Sequence, residues 1–261
     1  SCLRTYSGRY SLFFLKNRPH MNLLAFDTST DVISIAVTDG QQLWAHTGPG
    51  GSQASASLIP AIRGCLAQAG LGFSDLDAIV FGRGPGSFTG LRTACAVAQG
   101  LAFGAQSATR PGGVPVLPVD TLLAVAEDAR HQHGAHRVVA VLDARMDEVY
   151  TAPFAFDGTR WSGPDDFGLM APQHVDVPAG WTLAGNAFKA YGDRLAPGAS
   201  HVAALPTAAA LLRLAPALLA AGQAVPADQA LPRYIRDKVA KTTQERADER
   251  AAAALLATTT A

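Results

Sequence analysis

Residues 82–92 form a glycine-rich run, GRGPGSFTGLR, that constrains the fold more than any other stretch of the chain. The run follows an apolar segment, residues 78–81, and leads into an uncharged stretch, residues 93–105. This pattern predicts a strand, a tight turn and a helix, with Ser87 as the N-cap of the helix. Glycine permits positive φ angles and close backbone approach, so the turn suits contact with a phosphate, a carboxylate or a neighbouring backbone. The sequence leaves these partners open, together with a tight turn that binds nothing.

Two catalytic motifs that contain glycine turns are excluded by the residues around Ser87. A serine nucleophile elbow has glycines two positions before and after the serine, where this chain has Pro85 and Thr89. A P-loop ends in lysine followed by serine or threonine, and no lysine occurs between Lys16 and Lys189. The run therefore belongs to neither class.

Composition restricts the class of protein further. The chain has 261 residues, of which 48% are hydrophobic, enough for one large domain or two smaller ones. Its 21 basic and 21 acidic residues balance, so any RNA contact is expected to be local or shared with a partner. The 3 cysteines lie far apart among apolar or small residues, which indicates buried thiols in a reducing compartment. No apolar stretch is long enough to predict a membrane span, and we expect a cytoplasmic protein.

Two apolar strands each end in an aspartate. Residues 23–26 lead into Asp27, and residues 138–142 lead into Asp143, with a returning strand after each. Alternating strands and helices with these hairpins predict a mixed α/β fold. The recurrence suggests two related halves.

The two aspartate turns are the candidate phosphate or nucleotide sites. A carboxylate at a strand end, followed by hydroxyl side chains, can meet a metal ion or a phosphate, but aspartate also commonly bonds the N–H groups of its own turn. Both interpretations stay open at the first turn. At the second turn Arg145 can neutralise the carboxylate, which favours a structural pair. The candidate residues are Asp27, Thr28, Ser29, Thr30, Asp143 and Arg145.

A basic strip lies within residues 233–241. Four cations lie beside Tyr234, in a pattern that fits a solvated face or a docking strip for RNA or an acidic partner equally well. These cations are Arg233, Arg236, Lys238 and Lys241.

Four segments together resemble the TsaB family of bacterial tRNA threonylcarbamoyladenosine biosynthesis proteins. They are residues 24–30, 82–92, 142–150 and 234–236. Their order and spacing agree with the family, and the resemblance runs from about Met21 to Lys241. It implies the duplicated actin-, Hsp70- and sugar-kinase-like (ASKHA) α/β fold.

The resemblance also implies a division of the chain. We expect two subdomains, residues 21–119 and 120–241. Because Met21 directly precedes the first strand, we expect residues 1–20 to be an upstream extension or a disordered arm. Residues 242–261 are expected to form a tail.

The function that the resemblance implies is a supporting one. The chain is expected to be a non-catalytic partner and activator of a paralogue, TsaD, which places a threonylcarbamoyl group on adenosine 37 of tRNAs that read codons beginning with A. The paralogue binds its metal through a histidine pair on its first long helix, whereas residues 52–60 here contain no histidine. We therefore expect no metal and no cofactor required by this subunit. The expected further partners are the ATPase TsaE, tRNA through the complex, and a nucleotide at the complex interface.

Family members pair through their two N-terminal helices, with TsaD or with a second copy. Here these helices are predicted over residues 52–69 and 88–104, which carry an apolar ridge and a row of small residues. The alternative is that part of either stripe packs in the chain's own core. The expected interface residues are Leu58, Ile62, Leu66, Gly86, Phe88, Gly90, Leu91, Ala94 and Ala98.

Two other functions stay open. An ATP-dependent kinase or ATPase of the same superfold would use the aspartate hairpins, with residues 185–187 as a weak adenosine loop. A glycoprotease-like peptidase is a label carried by the wider superfamily, but the chain has neither the metal pair nor the serine elbow such an enzyme would need.

Overall fold

The fold is described from a computed structural model that covers residues 20–236. The predicted arm lies outside these residues except for His20, and the predicted tail lies outside them entirely. Lys238 and Lys241 of the basic strip lie outside them as well.

The first lobe is built on a five-stranded sheet in the order β3-β2-β1-β4-β5. The first three strands are antiparallel neighbours, and the last two run parallel to β1. Continuous apolar runs form the central strands because both faces of this sheet are covered. The strands are β1 (Leu23–Asp27), β2 (Val32–Thr38), β3 (Leu43–Pro49), β4 (Ala78–Gly84) and β5 (Val116–Asp120).

The second lobe repeats the centre of the first. Its sheet has the order β11-β10-β6-β7-β8, with β9 also paired to β7. An antiparallel hairpin, β6 and β7, is followed by two strands parallel to β6, as β1 and β2 are followed by β4 and β5. The predicted duplication is therefore confirmed. The strands are β6 (Arg137–Arg145), β7 (Glu148–Phe156), β8 (Trp161–Ser162), β9 (Gly168–Met170), β10 (Thr182–Gly185) and β11 (His201–Ala203).

In the described part of the chain, five α-helices surround the sheets: α1 (Ala54–Ala69), α2 (Phe88–Gly104), α3 (Thr121–His133), α4 (Phe188–Tyr191) and α5 (Ala208–Ala220). Helices α1 and α2 cover one face of the first sheet, and α5 covers the other. None of the helices within residues 20–236 is long and apolar enough to span a membrane.

The apolar ridge on α1 faces inward. Leu58, Ile62 and Leu66 are at most 3% exposed and pack against the first sheet. The expectation that they contact a partner is wrong, because the sheet itself needs this stripe to cover its apolar face. The alternative of a self-packed core holds for the whole ridge.

Helices α3 and α5 each follow a strand of one lobe and pack against a strand of the other. Helix α3 follows the last strand of the first sheet and packs against β6, whereas α5 follows β11 and packs against β1. The subdomain division expected at residue 119 falls at the end of β5, but the chain after β11 returns to the first lobe. The two helices therefore join the lobes through the middle of the molecule.

A buried ionic network fastens these two helices together. The Glu127 carboxylate, 2% exposed, accepts hydrogen bonds from Arg130, Arg213 and the Trp161 indole at 2.8 to 3.0 Å. Burial acts to raise the pKa of Glu127, but the hydrogen bonds from Arg130 and Trp161 outweigh it, and the net pKa is lowered. The ionised carboxylate is thus held between α3, α5 and β8.

Local predictions hold at most element boundaries. Ser87 caps α2 by accepting a hydrogen bond from the Gly90 N–H at 3.5 Å, and Cys65 and Cys95 are buried free thiols as predicted. Asp120 precedes α3, but its side chain makes no cap hydrogen bond. It instead accepts a hydrogen bond from Arg83 at 2.7 Å, because a nearby guanidinium is a stronger donor than the backbone N–H groups of the helix.

Candidate functional site

The glycine run wraps around the Asp27 turn of its own lobe. A Cβ placed on Gly82 would lie 1.8 Å from the Asp27 Oδ2 atom, and one on Gly90 would lie 1.9 Å from the Thr28 carbonyl oxygen. The Thr28 hydroxyl donates to the Gly90 carbonyl at 2.6 Å. Among the partners that the sequence left open, the turn contacts a neighbouring backbone and a carboxylate of this chain.

Asp27 is committed to its own turn. Its Oδ1 atom accepts hydrogen bonds from the Ser29 N–H at 2.8 Å and from the Ser29 hydroxyl at 2.6 Å. Its Oδ2 atom, lying against Gly82, has no hydrogen-bond partner among the described residues. Burial raises the pKa of Asp27 to about 6 against the opposing effect of the two Ser29 hydrogen bonds.

The hydroxyl residues after Asp27 divide into two groups. Thr28 is fully buried behind the turn, whereas Ser29 and Thr30 reach the wall of the cleft between the lobes. The Thr30 hydroxyl donates to the Val32 carbonyl at 3.1 Å. Only the second group can face a ligand in the cleft.

Asp143 occupies the equivalent position in the second lobe and is saturated by neighbours. Its carboxylate accepts hydrogen bonds from the Tyr191 hydroxyl and the Arg145 N–H, both at 2.8 Å, and pairs with the Arg145 guanidinium at 3.0 Å. Burial, aided by Asp143, raises the pKa of Tyr191 to about 12. The geometry agrees with the structural pair that the sequence favoured.

Arg145 also links the two lobes. Its guanidinium lies 3.0 Å from the Asp31 carboxylate, which follows the first aspartate turn. Arg145, Met146 and Asp147 all have positive φ, between 55° and 63°, at the tip of the β6–β7 hairpin. No local pattern in the sequence indicates this contact, because its two partners are 114 residues apart.

Between the two aspartate turns lies a cleft of about 300 Å³. Ser29 and Ser87 line it from the first lobe, and Asp143 and Asn186 line it from the second. Residues 232–236, here named the C-terminal strap, lie across it. The candidate site is thus an interlobe cleft with one of its walls supplied by the end of the described chain.

Arg233 and Arg236 of the basic strip are used inside the molecule. Arg233 lies 3.4 Å from the Asp120 carboxylate, and Arg236 pairs with Glu148 on β7. Their side chains are 23% and 14% exposed. The expectation that these two cations form a docking strip is therefore wrong, because each is neutralised and partly covered by an acid of its own chain.

The expected interface residues on α2 are also occupied by this chain. Ala94 and Ala98 are buried in the core of the first lobe, and Leu91 lines the cleft at 1% exposure. Phe88 is covered by the Arg92 guanidinium, 3.9 Å from its ring centre, and by Tyr234. The expectation that this row contacts a partner helix is wrong for the buried members, because the turn after β1 and the first sheet already fill the space. Gly86 lies against Ser29, and Gly90 against Thr28.

Two large apolar side chains remain on the outer faces of these helices. Ile59 on α1 is 43% exposed, and Phe103 on α2 is 64% exposed. Neither belongs to the periodic stripes, so helical periodicity does not indicate either residue. Their position away from the buried stripe is the sequence signal that marks them as exposed apolar residues. Within residues 20–236, no group of three or more histidine, cysteine or acidic side chains is placed to hold a metal ion.

The fold and the cleft define the class of protein. Two lobes with repeated β-hairpins, parallel strands and exchanged helices enclose a central cleft, as in the ASKHA class. Residues 45–166 match the TsaD family, described as tRNA N6-adenosine threonylcarbamoyltransferase. YeaZ from Pseudomonas aeruginosa superimposes with a TM-score of 0.74 at 39% identity, covering 82% of this chain and 100% of that chain. Another solved structure, with the same TM-score and identity, is described as similar to peptidase YeaZ.

Curated relatives identify the family within this class. The tRNA threonylcarbamoyladenosine biosynthesis protein TsaB of Escherichia coli (strain K12) is 33% identical over 231 residues, which cover 84% of this chain and 96% of that protein. TsaB of Haemophilus influenzae is 41% identical over 155 residues, covering 57% of this chain and 58% of that protein. The chain belongs to the TsaB family of tRNA threonylcarbamoyladenosine biosynthesis proteins, as its motifs predicted.

Proposed function

We propose that this chain is a non-catalytic partner and activator of TsaD. The complex would form N6-threonylcarbamoyladenosine at position 37 of tRNAs that read codons beginning with A. The observation that carries the proposal is the similarity to E. coli TsaB over 96% of that protein. The match of residues 45–166 to the TsaD family supports a paralogue as the partner.

The residues of the cleft support a non-catalytic role. Asp27 is sealed behind its turn, and Asp143 is neutralised by Arg145 and bonded by Tyr191. The first long helix region, residues 52–60, has no histidine to bind a metal. We propose that this subunit requires no cofactor, and that TsaE, tRNA and any nucleotide are engaged by the complex.

The outer faces of α1 and α2 are the proposed partner surface. They carry Ile59 and Phe103. Both side chains are exposed, and neither belongs to a hydrophobic core cluster of the described residues. Apolar side chains at the centre of an interface contribute most of its binding energy when water is excluded from them. We propose that TsaD binds this surface, and that a second copy of this chain occupies it when TsaD is absent.

Reconstitution of the modification tests the proposed function. Purified TsaD, the threonylcarbamoyl-adenylate donor, TsaE and unmodified tRNA are combined with and without this chain, and modified adenosine is quantified by mass spectrometry. We expect modification to require this chain. Equal modification in its absence contradicts an activator role.

A further inference from the structure

The C-terminal strap contacts both lobes in succession. Its Arg233 N–H donates to the Arg83 carbonyl on β4 at 2.7 Å, as an added strand would. Three residues later, the Arg236 guanidinium pairs with Glu148 at the start of β7. The strap backbone is therefore bonded to the first lobe, whereas the Arg233 guanidinium, 4.2 Å from the Phe167 ring centre, and the Arg236 guanidinium contact the second.

Aromatic contacts hold the middle of the strap. The Tyr234 ring lies 5.3 Å from the Phe88 ring at the start of α2, and its hydroxyl accepts a hydrogen bond from Arg92 at 3.3 Å. The same Arg92 guanidinium stacks on Phe88. The tilted aromatic pair and the cation–π contact are both attractive and hold Tyr234 against the first lobe.

The strap also contacts the tip of the β6–β7 hairpin. The Arg236 guanidinium lies 3.2 Å from the Met146 sulfur and 3.5 Å from the Arg145 carbonyl. A second link between the lobes, Arg145 with Asp31, has side chains that are 68% and 81% exposed. Exposed pairs contribute little, so the less exposed Arg236–Glu148 pair, which joins the strap to the second lobe, contributes more than the Arg145–Asp31 pair.

The cleft behind the strap does not fit the nucleotide that the ASKHA class implies. Asp27 lies behind the turn, and the Asp143 carboxylate already makes three polar contacts with two residues of its own lobe, Tyr191 and Arg145. The volume of about 300 Å³ is at the lower limit for small-molecule sites, and strap residues supply part of its lining. A nucleotide would have to displace the strap.

We propose that the strap is an intramolecular occupant of the interlobe cleft, which fastens the two lobes closed in place of a nucleotide. The strap acts through Tyr234 on the first lobe and Arg236 on the second. The proposal does not depend on the partner or on the tRNA reaction.

Distance measurements between the lobes test the closure. Spin labels are placed on Gln53→Cys in the first lobe and Asp193→Cys in the second, in a chain that also carries Cys2→Ser. Burial raises the pKa of the Cys65 thiol to about 11 and also raises that of Cys95, so the labels react at the introduced sites. We expect a single narrow distance distribution in this labelled parent.

The strap variant is Tyr234→Ala combined with Arg236→Ala, and the matched control is Arg160→Ala, whose ion pair with Asp157 lies within the second lobe. We expect the strap variant to shift the distribution to longer and broader distances, and the control to leave it unchanged. The single variant Arg236→Gln is measured in parallel, so that the test remains decisive if the double variant fails to fold. Unchanged distances in a folded strap variant overturn the proposal.

Binding of a fluorescent ATP analogue tests the second half of the proposal. We expect no saturable binding to the parent chain. Binding that appears only in the strap variant supports the proposal that the strap occupies the cleft. Binding to neither chain also agrees with it, because a cleft that does not fit a nucleotide binds none with or without the strap. Saturable binding to the parent that Asp143→Asn abolishes overturns the proposal.

Discussion

Asp27 has the position of a ligand-binding carboxylate but the surroundings of a structural one. The sequence placed it correctly at the end of β1, because an apolar run followed by polar residues marks the end of a buried strand. The sequence did not decide between a ligand and the turn, since both use the same residue types. That choice depends on Gly82, whose backbone lies directly against the carboxylate and seals it.

The buried carboxylate makes stability depend on pH. Burial raises the pKa of Asp27 to about 6 in the folded state from an ordinary value of 3.8, so the folded chain binds more protons between these values. The free energy of unfolding should therefore rise as the pH falls from 7 through 6 to 5, by about 1 kcal/mol relative to Asp27→Asn. Urea denaturation of both chains at each pH measures this difference. A pH-independent difference contradicts a carboxylate that is buried with its Oδ2 atom unpaired among the described residues.

A side chain at either of two glycines of the glycine-rich run should lower the stability of the fold. Gly90→Ala places a Cβ on the Thr28 carbonyl oxygen, and Gly82→Ala places one on Asp27. We expect each to lower the free energy of unfolding by roughly 1–3 kcal/mol. Gly100→Ala is the matched control, because it lies in the same helix as Gly90 with open space around it, and it should raise stability by about 0.5–1 kcal/mol. Equal effects at Gly90 and Gly100 would show that close approach does not explain the turn.

The periodicity of the sequence predicts helices α1 and α2, but it does not predict what each face of these helices contacts. The ridge of Leu58, Ile62 and Leu66 fixes the helix and its buried side, since that spacing matches one face. Whether a stripe covers a sheet or a partner depends on what lies opposite, and the spacing carries no such information. The outer side chains Ile59 and Phe103 became visible only once the buried face was known.

Charge on those outer faces should weaken partner binding without unfolding the chain. We expect Ile59→Asp and Phe103→Asp each to weaken TsaD binding at least tenfold, or about 1.4 kcal/mol, because a carboxylate would be buried at an apolar contact. Isothermal titration calorimetry measures the affinity. Ala190→Asp on the exposed side of α4 is the control, with the same change of charge on the other lobe. Wild-type affinity in both helix variants would place the partner elsewhere.

The sequence predicts that the molecule is a duplication, but it does not predict how the C-terminal strap joins the two lobes. Two apolar strands that end in Asp27 and Asp143 indicated the repeat, and the two sheets confirm it. The strap was not predictable, because Arg236 pairs with an acid 88 residues away and a basic strip on its own looks solvated or available for docking. Long-range ion pairs of this kind depend on the packed arrangement rather than on local sequence.

The ionic network between α3 and α5 should contribute strongly to the stability of the assembled lobes. Arg213→Ala removes a partner of the buried Glu127 carboxylate, and we expect a loss of roughly 2 kcal/mol in the free energy of unfolding. Arg160→Ala removes an exposed ion pair and should change stability by less than about 0.5 kcal/mol. Chemical denaturation of both variants gives the comparison. Similar losses in the two would show that the helix exchange does not rest on this network.

One set of tRNA modification reactions distinguishes a role of the cleft from a role of the outer helix faces. Complete reactions with TsaD, TsaE, donor and tRNA receive wild-type chain, Asp143→Asn or the combined Ile59→Asp and Phe103→Asp variant, and mass spectrometry quantifies modified adenosine. We expect near wild-type modification with Asp143→Asn and little modification with the helix-face variant. Loss of modification with a folded Asp143→Asn chain, together with full modification by the helix-face variant, would contradict a non-catalytic activator.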